Sequence, residues 1–174
     1  MDQSDHQMSI EYVKFRPLEQ EGMLPQLVNC YQQVFADPPW SEWLKCPLCN
    51  RHWGAEDRTL VESELHSQHC GVSLQEFWPT ETVRSDIINE ISGHASCWLA
   101  LMDGQVIGFC WGYPITPADL ANKLALPNLV TVLETQFGLV AHYAYQDDIG
   151  VLNAYRGRGI ARRSMPGVSR GSKP

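Results

Sequence analysis

The chain has 174 residues, enough for one domain with a single buried core, and its 44% hydrophobic and 19% charged content is that of a globular protein. No apolar run reaches the roughly 18 residues that span a bilayer, and the polar start MDQSDHQ is unlike a signal peptide, so a cytoplasmic protein is expected. The net charge of -7 is unevenly spread: from Arg156 onward there are six basic residues and no acidic one, while all 20 Asp and Glu lie before it. An acidic body with a basic end points to an anion held at that end and a cationic partner elsewhere.

In chain order, Ser9 to Arg16 (SIEYVKFR) alternates and is rich in β-branched and aromatic residues, predicting a first strand. Leu24, Leu27, Val28, Tyr31, Val34 and Phe35 recur at helical spacing and predict an amphipathic helix that ends before ADPPW. Residues 41–72 differ in composition and form an expected insertion. Val83, Ile87 and Ile91 mark one face of a second helix closed by Gly93. Cys97 to Gly112 predicts two strands around Asp103-Gly104, a strong hairpin signal. Thr116-Pro117 is an N-cap followed by a first helical residue, opening a segment to Phe137 that breaks at Pro127. His142 to Leu152 predicts another strand, running into a glycine turn and a helix that starts at Gly159.

The insertion carries the metal chemistry. Cys46-x-x-Cys49 presents two thiolates to one ion, and His66 and Cys70, four apart, share a face if they lie on a helix running from about residue 55. Four N/S ligands with tetrahedral reach suit Zn2+ in a closed, structural shell; His69 or His52 in place of His66 are open alternatives. The segment carries no basic stripe, which argues against nucleic acid.

The turn Arg156-Gly157-Arg158-Gly159-Ile160-Ala161 suits an anion: glycines let the backbone approach a phosphate, and N–H groups at a helix start point at one spot. With its context, DDIGVLNAYRGRGIARR resembles the acetyl-CoA-binding segment of the GNAT N-acetyltransferase superfamily, and the element order before it is also that family's; Asn153 stands where many members have Pro. The resemblance implies a mixed, mostly antiparallel α/β sheet flanked by helices, and acetyl transfer from acetyl-CoA to a primary amine. The acidic body favours a small cationic acceptor. It further implies that the turn, Arg156 and Gly157 to Ala161, holds the CoA pyrophosphate, and that the strand around Val151 and Leu152 bonds the pantetheine arm through its backbone.

The resemblance also implies a carboxylate base ahead of the motif. Asp147 and Asp148 are the candidates; strand alternation sends them to opposite faces, and the offset favours Asp147. The helix opened at Gly159 meets Pro166 and Gly167 within two turns, leaving no room for the family's fifth strand or a later Tyr. The expectation is therefore a GNAT-like domain over residues 1–163 without its C-terminal strands, with 41–72 as an inserted zinc module and 164–174 as a disordered tail. The alternative is a catalytically silent relative or a zinc-finger interaction module.

Overall fold

A computed structural model describes residues 9–62 and 68–164. In chain order the elements are β1 (Ile10–Phe15), α1 (Leu24–Ala36), β2 (Leu44–Lys45), β3 (His52–Trp53), α2 (Arg58–Glu62), β4 (Gln68–His69), β5 (Val72–Ser73) and β6 (Gln75–Glu76). They continue as α3 (Thr80–Ile91), β7 (Ser96–Met102), β8 (Gln105–Ile115), α4 (Pro117–Lys123), α5 (Leu129–Phe137), β9 (Tyr143–Val151) and α6 (Ile160–Arg163). None of the described helices is long and apolar enough to cross a membrane.

The main sheet has the order β1-β7-β8-β9, and each of its pairs is antiparallel. Its central hairpin turns at Asp103 and Gly104, whose φ angles of 51° and 76° are those a two-residue primed turn requires. The helical spacings produce the helices expected. Leu27 and Val34 of α1 and Val83, Ile87 and Ile91 of α3 are buried against Phe15, Leu99, Phe109 and Trp111 on one face of the sheet. Each such side chain withdrawn from water contributes about 1.5–3 kcal/mol. On the opposite face, Ile160 of α6 packs with Ala100 and Ile107 in a smaller cluster. Thr116 caps α4 by accepting the Asp119 N–H at 3.1 Å.

Three details differ from the sequence reading. A short 3-10 turn at Asn153–Tyr155 separates β9 from the glycine turn. The described residues between 41 and 76 form very short strands, ordered β3-β2-β6 and β4-β5, so the insertion's small sheets run past residue 72, and no periodicity could have marked them. The helix drawn through His66 to Cys70 is not what forms: α2 is described only to Glu62, and Cys70 follows β4 in a tight turn at φ 53° beside Gly71 at 75°. Two consecutive left-handed residues close a β4–β5 hairpin, which a helix cannot do. His66 lies outside the described residues.

Candidate functional site

The register of β8 and β9 slips beside the two aspartates. Trp111 faces Asp148, yet the next residue, Gly112, faces Gln146, so Asp147 is the extra residue of a β-bulge. Only glycine fits at the facing position. A Cβ on Gly112 would lie 2.3 Å from the Tyr145 carbonyl oxygen and 3.0 Å from the Gln146 Cα, both backbone atoms that cannot swing aside. Gly112→Ala should therefore force the bulge out of register and cost about 1–3 kcal/mol, read as a lower melting temperature.

The bulge corrects the expectation that alternation separates the two carboxylates, since both come within electrostatic reach of Glu90 on α3. Their surroundings differ. Asp147 is engaged: Lys123 of α4 pairs with it at 3.1 Å and the Tyr113 hydroxyl donates to it at 3.1 Å. The Lys123 ammonium also lies over the Tyr113 and Tyr145 rings, at 5.7 and 5.6 Å. Asp148 has no cation of its own among the described residues. Burial, and then the charges of Glu90 and Asp147, push its carboxyl up to about 6, against the opposing effect of Lys123 and a hydrogen bond from Tyr31.

Lys123 therefore keeps Asp148 ionisable near neutral pH. Lys123→Met should move the acid limb of any Asp148-dependent rate above about 6, lowering the rate at pH 6 roughly two- to fivefold in a pH–rate profile.

Around Asp148 lie groups the sequence reading did not single out. Tyr31 falls on the apolar face of α1 by its spacing, and Glu90 and Lys123 are helix residues whose partners lie on other elements. Glu90 is itself exposed but stands three positions after buried Ile87, and this spacing beside the apolar face of α3 was the one available signal.

At the end of β9, Gly157 and Gly159 adopt φ angles of 77° and 74°, and Gly159 caps α6 in the left-handed region. The N–H groups of Gly157 to Ala161 meet no backbone acceptor among the described residues. A cleft of about 450 Å3 is lined by Val151, Arg156, Gly157, Gly159, Ile160 and Ala161. Leu152 lies one residue on, its N–H given to the Ile107 carbonyl. Arg158 is exposed, its guanidinium 5.5 Å from the Tyr155 ring centre.

The Arg156 side chain turns back onto the fold. Its guanidinium donates to the carbonyls of Val151 (3.0 Å), Pro38 and Val34 (3.4 Å). It ties the turn to the end of α1.

In the insertion, the β2–β3 turn and the β4–β5 turn bring Cys46, Cys49 and Cys70 together, with all three sulfurs within 4.8 Å of one another. Zn–S bonds of about 2.3 Å in a tetrahedron separate sulfurs by about 3.8 Å, so a small contraction closes three positions of such a shell. Burial raises the Cys46 thiol, but hydrogen bonds from the Cys49 and Leu48 backbone and from the Cys49 and Cys70 side chains outweigh it and bring it down. Cys70 is pushed up to about 11, first by its hydrogen bond with Cys49. The His52 and His69 rings stand edge-on to Phe77 and Trp53, at 5.5 and 5.2 Å.

A four-stranded antiparallel sheet, a bulge carrying two aspartates and a glycine turn at the end of that strand make up the candidate site. The sequence profile of the Acetyltransferase (GNAT) family matches residues 58–166, and the chain belongs to that family. Among solved structures it is similar to the ribosomal-protein-alanine N-acetyltransferase from Brucella melitensis biovar Abortus 2308. That likeness has 14% identity and a TM-score of 0.38, and covers 90% of this chain and 66% of that one, so the chain spans just under two thirds of its length. No curated protein matches the chain.

Proposed function

We propose that the chain transfers acetyl from acetyl-CoA to a primary amine, with Asp148 as the base. The observation that carries this is the contrast at the bulge: Asp147 is held by Lys123 and Tyr113, whereas Asp148 is half-buried, without a cation of its own among the described residues, and titrates at about 6. A base must be deprotonated at working pH yet basic enough to accept a proton, and a carboxyl near 6 meets both demands. The amine nitrogen attacks the thioester carbonyl, its proton passes to Asp148, and the tetrahedral oxyanion collapses with loss of the CoA thiolate, which then takes up a proton.

The open N–H groups from Gly157 to Ala161 would receive the pyrophosphate, and the backbone at Val151 the pantetheine arm, since the Leu152 N–H and carbonyl are already taken by Ile107 and Tyr155. Arg156 supports the turn through its three carbonyl contacts.

The same reading makes residues 41–72 a zinc module on the acceptor side. Cys46, Cys49 and Cys70 supply three ligands and His66 is the proposed fourth, since His52 and His69 are turned onto aromatic rings. A closed shell of this kind supplies structure rather than chemistry. The module and α1 flank a cleft of about 470 Å3 lined by Gln32, Gln33, Glu42, Trp43, Arg58 and Trp78, and the acidic body as a whole favours a cationic acceptor. The test is release of free CoA thiol from acetyl-CoA over a panel of primary amines. Amine-dependent release rising through pH 6 supports the reading; no release with any amine in the panel overturns it.

A further inference from the structure

A second, smaller cavity of about 120 Å3 sits between α1, α3 and β8, walled by the rings of Tyr31, Trp78 and Trp111 and by the carboxylates of Asp86 and Glu90. Its volume corresponds to about four waters, room for an ammonium group and a short methylene stub. Its rings are oriented. Tyr31 and Trp78 stand perpendicular at 5.6 Å, and each indole N–H is tied to a carboxylate, Trp78 to Glu42 at 2.9 Å and Trp111 to Glu90 at 3.0 Å. The Tyr31 ring also lies nearly parallel to that of Trp111, at 6.0 Å, and a cation that reaches the open face of an aromatic ring is attracted to it.

No basic residue lines this cavity, and the ion pairs among the described residues are Arg16–Glu19 and Lys123–Asp147. Asp86, Glu90 and Asp148 therefore share a region of net negative charge that Lys123 offsets only in part. Its mark is the Glu90 carboxyl, raised first by burial and further by Asp147 and Asp86, against the indole hydrogen bond and Lys123. Tyr31 joins the two places, lining the cavity while the charge of Asp148 acts on its hydroxyl.

We infer that this cavity binds a second, non-reacting positive charge of the acceptor, so that the substrate class is a diamine or a primary amine with a cationic group a few methylenes away. The inference rests on the acetyltransferase reading for the place of the reacting amine, beside Asp148. The division of labour follows from the chemistry. A cage of carboxylates and ring faces stabilises a cation and opposes loss of its proton, so it suits the end of the molecule that stays charged. The reacting end belongs at Asp148, which accepts a proton near neutral pH. A carboxylate-bearing amine would be repelled.

The test is calorimetric binding of 1,5-diaminopentane, 1-aminopentane and 5-aminopentanoate to the full chain at low salt, without acetyl-CoA. The diamine should bind at least tenfold more tightly than the monoamine and the amino acid most weakly, with the preference erased in Glu90→Gln. Asp86→Asn, on the exposed side of α3, should reduce it as well and keeps the test readable if Glu90→Gln does not fold. Equal affinity for diamine and monoamine, no binding of any of the three, or an undiminished preference in both variants overturns the inference. Thiol release measured with the same amines keeps the two readings apart. A bound diamine that is never acetylated removes the transferase reading and leaves the cavity standing. Acetylation without charge preference does the reverse.

Discussion

Asp148→Asn should lower kcat/KM for amine acetylation by about 10²–10⁴-fold, the usual contribution of a positioned general base, while acetyl-CoA binding persists. The pH profile makes the result specific. The carboxyl titrates at about 6, pushed there by burial and by the charges of Glu90 and Asp147. Since the deprotonated form is the base, the wild-type rate should rise as pH passes upward through 6 and level off above it. Residual activity of the Asn variant should lack that limb. Asp147→Asn is the companion measurement: it releases Lys123 and removes one like charge, yet leaves the base in place, so its loss should be far smaller. If Asp147→Asn proves the more damaging of the two, the proton goes to Asp147 and the assignment is wrong.

The second large effect concerns the insertion. Its strands are two residues long and its sheets have three and two strands, too little structure to stand on hydrogen bonding and burial alone. In such modules most of the metal's binding free energy is folding free energy. The wild type should carry one zinc per chain, and Cys46→Ser should carry close to none after dialysis against a weak chelator. Amide protection across 41–72 should collapse with it. The glycine turn lies outside the insertion and should still bind acetyl-CoA. Retention of the metal by Cys46→Ser would show that the ligand set is wrong.

What the sequence disclosed follows physical periodicity. Val83, Ile87 and Ile91 or Leu27 and Val34 repeat because a helix has 3.6 residues per turn and one buried face, and Asp103-Gly104 is legible because few residues accept two positive φ angles in succession. The glycine turn was legible for the same reason. The bulge was not. Whether Asp147 is an extra residue depends on what faces it, and Gly112 is 35 positions away in the chain. Once the strand slips, alternation no longer separates the two aspartates. Arg156 shows a related blindness, since its motif fixes the backbone but not which carbonyls capture its guanidinium. Cys70 misled in another way: a four-residue spacing fits a helix, but Cys70-Gly71 fits a hairpin turn equally well, and the chain takes the turn. Glu90, Tyr31 and Lys123 belong to helices whose periodicity says which face is buried, not which charge waits on the neighbouring strand.

The central claim, that the turn after β9 is a working acetyl-CoA site, is tested most directly by thermal unfolding of the full chain with and without acetyl-CoA. A ligand that binds only the folded state at a hundredfold excess over its Kd stabilises it by about 2.7 kcal/mol, a shift of several degrees in a chain of this size. The account predicts that shift in the wild type and its loss in Gly159→Val, where a β-branched side chain opposes the φ of 74° that opens α6. No shift at millimolar acetyl-CoA, or an equal shift in the folded variant, would contradict it.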